Sequence, residues 1–334
     1  MKEINTLIIG QGIAGSMAAF MLHQQQVSFM VMDAANANTS SRIAAGMFSP
    51  ISGKRKTIHQ ITLKQIPFAI GMYKAIEQLL GIHFLHTNHV YQVFNSSAEQ
   101  QDLMAKYCHA DFATYIQTHP NILPNIKQAD GVCEILNSGW VDCALLINHF
   151  AKWLQQHDAM VQAKFIYEDL DISNGAMEYH GMKFKNIIFC EGYRTISNPF
   201  FKEKIIPCKG DMLTIQYDHL STDRIIKKGS IYCINTGNHV FKAGATYQWN
   251  NSNKAPEEAG KKFIEEQLDD MLDKEYRVLN HQSAIRPTTQ NREVIAKQHP
   301  NYPGMFMLNG LGTKGILQGP WWARHLVNII LENR

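Results

Sequence analysis

Three glycines near the N-terminus have the spacing of a nucleotide-binding turn. Gly10-Gln11-Gly12-Ile13-Ala14-Gly15 matches G-x-G-x-x-G. In this motif the first glycine permits a tight turn, the second lets the backbone approach a pyrophosphate, and the third lets a helix pack on a strand. A helix that begins here also presents free N–H groups and the positive end of its dipole to phosphates. Without further context, the motif could equally be a glycine-rich turn between a strand and a helix.

The residues around this turn favour the nucleotide-binding interpretation. Residues 6–9 form a short apolar run before the glycines, and residues 16–25 carry apolar side chains at helical spacing. A second apolar run, residues 27–32, ends at Asp33. This acid follows the turn by about 20 residues, where a carboxylate would bind the ribose of adenosine, although it could instead cap the next turn. The complete βαβ pattern predicts a dinucleotide site but does not distinguish FAD from NAD.

The remaining pattern predicts an α/β chain whose second domain is inserted into the first, because no repeat or linker separates two halves. Strands are expected at residues 184–192 and 304–308, and in the alternating region 212–248, which contains a hairpin turn at Thr236-Gly237-Asn238. Helices are expected at residues 58–80, 142–156, 259–272 and 321–332.

Composition narrows the class of protein. The 334 residues are 45% hydrophobic and 18% charged, as in ordinary globular proteins. The formal charge is only +3, far from that of a dedicated nucleic-acid binder. The six cysteines form no C-x-x-C pair, which argues for reduced thiols and against a metal site. We find neither a signal-peptide pattern nor an apolar run of membrane-spanning length, so a cytoplasmic protein without a membrane partner is expected.

A series of further blocks lies in a fixed order along the chain. They are Ser40-Ser41-Arg42-Ile43-Ala44-Ala45-Gly46-Met47-Phe48-Ser49-Pro50, Gly139-Trp140-Val141-Asp142, Phe189-Cys190-Glu191-Gly192, Pro207-Cys208-Lys209-Gly210-Asp211, Ala284-Ile285-Arg286-Pro287-Thr288-Thr289 and Leu311-Gly312-Thr313-Lys314-Gly315-Ile316-Leu317. Together they resemble the glycine oxidases and their relatives in the D-amino-acid oxidase family, over residues 7–326 and weakly between 84 and 137. Asp211 and Ala284 depart from the family pattern. The order of the blocks implies FAD rather than NAD.

The resemblance also implies which residues hold the cofactor. The block after the second strand would wrap the pyrophosphate and place Ala44-Ala45-Gly46 against the flavin ring, whereas the alternative is a small-residue helix packed on a neighbour. The residues expected to contact FAD are Gly10, Gly12, Ile13, Ala14, Gly15, Asp33, Ser41, Arg42, Ala45, Gly46, Met47, Gly192, Arg286, Gly312, Lys314, Gly315 and Ile316.

Three of the resembling positions are candidate catalytic residues. Arg286 could bind a substrate carboxylate through two parallel hydrogen bonds, although it could also be a structural arginine. Tyr232 corresponds to a tyrosine that contacts the bound acid in glycine oxidases, but strand tyrosines often belong to a core. Lys314 could stabilise the reduced flavin, contact the carboxylate or assist oxygen reduction, or it could be a solvated loop lysine. No general base is needed if the substrate binds as the neutral amine.

The resemblance implies oxidation of the C–N bond of a small amino acid or N-substituted glycine by hydride transfer to flavin N5, with oxygen or another electron acceptor. One alternative is removal of a carboxymethyl group from a modified uridine in tRNA. The reason is that the loop Leu311-Gly312-Thr313-Lys314-Gly315-Ile316 and the pair Gly139-Trp140 also resemble the FAD-dependent half of the bifunctional tRNA 5-methylaminomethyl-2-thiouridine biosynthesis protein. The basic run Lys54-Arg55-Lys56 could support it, but such a run is usually a solvated loop, and tRNA is not favoured. Another alternative is an inactive flavin-binding protein, which the departures at Asp211 and Ala284 would suit.

We therefore expect an α/β fold, α+β overall, with a Rossmann-like FAD-binding domain interwoven with a substrate domain on a mixed or antiparallel sheet. The FAD-binding domain is predicted at residues 1–80, 140–206 and 281–334, and the substrate domain at residues 81–139 and 207–280. The sequence makes no prediction about oligomeric state.

Overall fold

The structure is a computed structural model that describes residues 2–36, 38–53, 56–107, 114–118, 120–172 and 177–332. The predicted α/β class is confirmed. The α-helices of the described ranges are α1 Ile13–Gln24, α2 Ser40–Ile43, α3 Gln60–Leu80, α4 Ser97–Tyr107, α5 Cys143–Gln156, α6 Glu258–Met271 and α7 Gly315–Glu332. Short 3-10 helices lie at Tyr167–Asp169 and Gly192–Ser197.

Most of the strands belong to two large sheets. The first sheet contains β1 Lys2–Ile9, β2 Phe29–Asp33, β9 Met160–Gln162, β10 Leu170–Asp171, β11 Met177–Tyr179, β12 Met182–Phe189, β19 Ile295–Gln298 and β20 Met305–Asn309. The second contains β3 Met47–Phe48, β6 Leu85–Val93, β7 Ile116–Gln117, β8 Val132–Val141, β13 Ile205–Gln216, β14 Ile225–Lys228, β15 Ile231–Gly237, β16 Val240–Gly244, β17 Gln248–Trp249 and β18 Arg277–Thr289. A small hairpin joins β4 Ile51–Ser52 to β5 Thr57–Ile58.

The centre of the first sheet is parallel, in the order β9-β2-β1-β12-β20. Helices α1, α3, α5 and α7 cover one face, and an aromatic cluster that includes Phe165, Tyr179 and Phe201 covers the other. Burial on both faces explains why these strands are continuous apolar runs in the sequence. The carboxyl ends of β1, β2 and β12 meet at one edge, which is where ligands bind in open parallel sheets.

The second sheet is mixed, as predicted, since β14 and β6 run parallel within an otherwise antiparallel arrangement. One face packs on Ile264, Leu268 and Met271 of α6. The other face packs on Ile43, the last residue of α2, and on Ala45, which lies between α2 and β3. The second sheet therefore presents one face to the segment that runs from the end of α2 to β3.

The predicted strand–helix–strand opening is confirmed by β1, α1 and β2, and the predicted hairpin at Thr236-Gly237-Asn238 joins β15 to β16. The strand expected at residues 184–192 ends earlier, at Phe189, and is followed by the 3-10 helix. The two-domain division stays a prediction, because β8 and β18 both extend across the expected borders. In the described ranges, no helix has both the length and the apolar character that a membrane span requires.

The prediction for the last helix is wrong at its start. α7 begins at Gly315 rather than at residue 321, and Pro320 lies inside it. Proline cannot donate to the carbonyl oxygen four residues earlier, which normally ends a helix pattern. Here the Tyr73 hydroxyl donates to that oxygen, on Ile316, at 2.6 Å. The Tyr73 hydroxyl replaces the missing backbone donor for the Ile316 carbonyl, so the helix can begin as early as Gly315, at the end of the glycine-rich loop.

Candidate cofactor and substrate site

Steric contacts explain each glycine of the N-terminal turn. Gly10 has φ +102°, and a Cβ there would lie 2.5 Å from the Cys190 carbonyl oxygen. A Cβ at Gly15 would overlap the Gly10 carbonyl oxygen, and one at Gly12 would lie 2.9 Å from Ser41 Oγ. The turn is thus packed against the end of β12 and the start of α2. A Cβ at Gly10 or Gly15 would meet backbone oxygen, whereas one at Gly12 would displace the Ser41 hydroxyl.

The N-terminus of α1 is open to an anion. Its N-cap, Gly12, has no side chain to bond the first amides, and the first turn contains no acidic residue. The Ile13 amide donates to Ser41 Oγ at 3.0 Å. The first hydrogen bond of the helix runs from the Ser16 amide to the Gly12 carbonyl at 2.9 Å. The amides of Ala14 and Gly15 lie before this first helical donor and have no acceptor four residues earlier in the helix, so they remain available to a phosphate.

Asp33 is fixed at the end of β2 beside this turn. One carboxylate oxygen accepts from the Gln11 amide at 2.8 Å, and the other accepts from the Ala35 amide at 2.6 Å. The residue therefore caps the following turn, as the alternative interpretation holds. Its half-buried carboxylate oxygens each retain acceptor capacity for ribose hydroxyls.

Arg42 lies next to the glycine turn with neutral partners. Its guanidinium donates to Asn148 Oδ1 at 3.1 Å, to the Asn36 carbonyl at 3.0 Å and, over a longer 3.4 Å, to Gln11 Oε1. It forms no ion pair with any described residue. The uncompensated charge beside the α1 N-terminus suits a diphosphate.

The segment after α2 is extended, so the alternative of a small-residue helix is wrong. α2 ends at Ile43, and Ala44 has φ −53° and ψ 138°. Gly46 has φ +75°, and a Cβ there would overlap the Val141 carbonyl oxygen and lie 2.9 Å from Cys143 Sγ. The backbone of residues 44–46 therefore lies flat against the start of α5, and Met47 continues it into β3 opposite Trp140.

Unpartnered buried oxygens mark the same path. Of the buried side-chain atoms without a hydrogen bond in the described ranges, Thr39 Oγ1 precedes α2, Ser49 Oγ follows β3, and Thr288 Oγ1 lies 3.6 Å from the Cβ position at Gly312. Buried polar groups are rarely left unbonded. An elongated polar ligand running from the glycine turn to the last loop would satisfy them, so the residues present fit FAD.

The loop of residues 310–314 connects β20 of the first sheet to α7 and contacts β18 of the second sheet. Gly312 has φ +53°, and its amide donates to the Pro287 carbonyl at 2.9 Å. Gly315 is the first residue of α7, and Ile316 follows it in the core. Burial lowers the pKa of Lys314, and the nearby Arg292 charge lowers it further. Gly192, the first residue of the 3-10 helix after β12, also has positive φ, and its carbonyl accepts from Asn309 Nδ2 at 2.8 Å.

Arg286 projects from β18 across its neighbour β13. The guanidinium occupies the space that a Cβ at Gly210 would need. One nitrogen donates to the Thr246 carbonyl at 3.1 Å, and the group lies 4.8 Å from the centre of the Tyr247 ring. Arg286 forms no ion pair with the residues that the structure describes.

Tyr232 lies beside this arginine. Burial raises its pKa, the Tyr247 hydroxyl raises it further, and the Arg286 charge acts in the opposite direction. Tyr232 therefore stays protonated and can donate a hydrogen bond. Tyr247 is a site residue that the sequence analysis missed, because no local pattern distinguishes a tyrosine three residues beyond β16.

The two departures from the family pattern have structural explanations. Asp211 is fully buried, with His281 Nε2 at 3.0 Å and the Thr246 hydroxyl donating at 3.0 Å. A longer side chain would meet Gly260, whose Cβ position already overlaps the Asp211 carboxylate. Ala284 is buried opposite Gly210.

Comparison with known proteins gives the same assignment of the chain. The family model described as FAD dependent oxidoreductase matches residues 5–329. The fold is similar to that of glycine oxidase from Geobacillus kaustophilus, with a TM-score of 0.84 at 16% identity, covering 100% of this chain and 96% of that one. It is similar to iminodiacetate oxidase from Chelativorans sp. BNC1, with a TM-score of 0.81 at 16% identity over 98% and 95% of the two chains.

A third solved structure contains the cofactor. L-alpha-glycerophosphate oxidase from Mycoplasma pneumoniae, with FAD bound, matches with a TM-score of 0.81 at 16% identity, covering 99% of this chain and 95% of that one. At such identities these structures establish the fold, while the family model extends over nearly the whole sequence. The cofactor of this chain is FAD, and the chain is a member of the FAD-dependent oxidoreductase family that includes the D-amino-acid oxidases.

Proposed function

We propose that the protein oxidises the C–N bond of a small amino acid or an N-substituted glycine. The observation that carries the proposal is the environment of Arg286, whose guanidinium is held by a neutral carbonyl and an aromatic face and has no described carboxylate partner. A planar guanidinium in this state is matched to a carboxylate. Glycine oxidase and iminodiacetate oxidase, whose names state carboxylate-bearing amines, share the fold.

The residues have separable tasks in this proposal. Arg286 binds the substrate carboxylate, and the protonated Tyr232 hydroxyl donates a second hydrogen bond to it. Bound FAD supplies the hydride acceptor, from which electrons pass to oxygen or another acceptor. The substrate enters as the neutral amine, because a protonated nitrogen has no electron pair to assist hydride departure from the adjacent carbon.

Two features of the last loop suit the charge that develops on reduction. The N-terminus of α7 at Gly315 presents the positive end of the helix dipole. Lys314 adds an ammonium in a half-buried position. Both would stabilise the negative charge of a reduced flavin bound beside them, and the Lys314 ammonium would also stabilise the negative charge that develops on oxygen as it is reduced.

The alternative tRNA substrate has weaker support. Lys54 and Arg55 lie outside the described residues, and Lys56 forms an ion pair of 2.5 Å with Glu99, so its charge is already compensated. The inactive-protein alternative also loses support, because Asp211 and Ala284 serve packing and hydrogen bonding without removing Arg286 from the site.

The test is anaerobic flavin bleaching by glycine, sarcosine, D-amino acids and carboxymethylaminomethyl-modified tRNA. We expect a small amino acid to bleach the flavin, and Arg286→Ala to abolish saturation by that substrate. Arg277→Ala, an exposed arginine on the same strand, is the matched control. Bleaching by the tRNA alone would establish the alternative substrate, and no bleaching by any amine would overturn the proposal.

A further inference from the structure

Lys242 faces the substrate side of the second sheet. On β16, Phe241 and Ala243 pack in the core beneath α6. Successive side chains of a strand point to opposite faces, so Lys242 points to the other side. Its cross-strand neighbour Ile234 packs there in the same cluster as Ala45. Lys242 thus lies on the face of the second sheet against which the small-residue segment, residues 44–46, packs.

The charge of Lys242 acts on Cys143, which packs against the backbone of the small-residue segment at Gly46. Burial raises the pKa of the Cys143 thiol to about 12, and the Lys242 charge opposes this increase. The Cys143 sulfur lies 2.9 Å from the Cβ position at Gly46. Lys242 is half-buried and makes no ion pair or side-chain hydrogen bond with a described residue, unlike Lys228, which pairs with Asp270 at 2.7 Å.

Arg286 of β18 and Lys242 of β16 lie beside two different positions of the strand between them, β13. The Arg286 guanidinium lies over Gly210 of β13, and Lys242 is paired with Thr214 of the same strand. At the rise of a β-strand, these two positions are about 13 Å apart. The residue between them on this face is Met212, so the surface that joins the two cations is apolar.

We infer that Lys242 binds a second carboxylate of the substrate. The preferred substrate is then an amino acid or N-substituted glycine whose second carboxylate lies several bonds from the amine. The inference rests on the proposed function, since Arg286 takes the first carboxylate. A half-buried ammonium without a protein anion stabilises a bound carboxylate more than a solvated surface lysine would.

The test is equilibrium binding of unreactive acids to the FAD-loaded protein, measured by calorimetry. The dicarboxylates succinate, glutarate, adipate and pimelate are compared with monocarboxylates of matched length. We expect the best-fitting dicarboxylate to bind about 10-fold more tightly than its partner. Lys242→Met should remove this preference, and Lys242→Arg should retain it. Lys262→Met, an exposed lysine of α6 on the opposite side of the sheet, is the matched charge control.

Equal binding of the two acid series to the wild-type protein would overturn the inference, as would a dicarboxylate preference that survives in Lys242→Met. Neither result depends on turnover. Failure of every amine to bleach the flavin would count against the proposed function alone. A wild-type protein that is bleached by sarcosine but binds dicarboxylates no better than monocarboxylates would count against the role of Lys242 alone.

Discussion

The buried carboxylate of Asp211 accepts a 3.0 Å hydrogen bond from the hydroxyl of Thr246. Thr246 in turn offers its carbonyl oxygen to Arg286 at 3.1 Å. The orientation of the proposed substrate-binding guanidinium therefore depends on a residue that does not contact it. The Asp211 amide also donates to the Thr246 hydroxyl at 2.8 Å, and the Thr246 amide donates to the Asp211 carbonyl at 3.3 Å, so three hydrogen bonds join the two residues.

Asp211→Asn tests this positioning role. The amide keeps the size of the side chain but replaces one acceptor oxygen with a donor, so either His281 or Thr246 loses its partner. We expect the affinity for carboxylate substrates to fall about 10-fold, with unchanged FAD affinity. The measurement is the split between KM and kcat, with Thr246→Val as the companion variant. A fall in kcat with constant KM would contradict a positioning role.

Gly15→Ala tests the packing of the glycine turn. The new Cβ would overlap the Gly10 carbonyl oxygen, so we expect loss of FAD and a decrease of about 1–3 kcal/mol in the free energy of unfolding. The control is Gly71→Ala in α3, where nothing lies within 4 Å of the Cβ position. That substitution should raise stability by about 0.5–1 kcal/mol. FAD retention in Gly15→Ala would show that the turn can open.

Tyr73→Phe tests the start of α7. It leaves the Ile316 carbonyl without its donor, so we expect the free energy of unfolding to decrease by about 1–3 kcal/mol. In a Pro320→Ala background the new backbone N–H can bond the same carbonyl, and the cost of Tyr73→Phe should shrink. Denaturant unfolding of the four proteins in a double-mutant cycle measures the difference. Strictly additive effects would refute the exchange of donors.

The lowered pKa of Lys314 predicts that the rate of flavin reoxidation depends on pH. Burial and then Arg292 lower its pKa below the ordinary value of 10.5. The ammonium is present at low pH and is lost as the pH rises through this lowered pKa, so reoxidation of the reduced flavin by oxygen should slow along that limb. Arg292→Met should move the limb to higher pH, because it removes a like charge. Lys314→Met should eliminate the limb, and a profile unchanged in Lys314→Met would exclude the role.

Local sequence signals predict well the strand–helix–strand unit that carries the proposed cofactor residues. Gly10, Gly15 and Asp33 act within one βαβ unit, where periodicity and spacing are governed by neighbouring residues. The substrate half depends on pairing between distant strands. Tyr247 reaches Arg286 only because β18 pairs with β13, and alternation along β16 gives Lys242 a face without revealing which segment lies opposite. The start of α7 could not be predicted, because the Tyr73 hydroxyl comes from another helix.

The most direct test of the central claim compares substrates with and without a carboxylate. Anaerobic bleaching rates are measured for sarcosine and dimethylamine on the wild type, Arg286→Ala and the control Arg277→Ala. We predict a strong preference for sarcosine in the wild type and in Arg277→Ala. In Arg286→Ala this preference should fall by about 100-fold, as expected when a charged hydrogen-bonding partner is removed. An undiminished preference for sarcosine in Arg286→Ala would contradict the assignment of Arg286 as the carboxylate-binding residue.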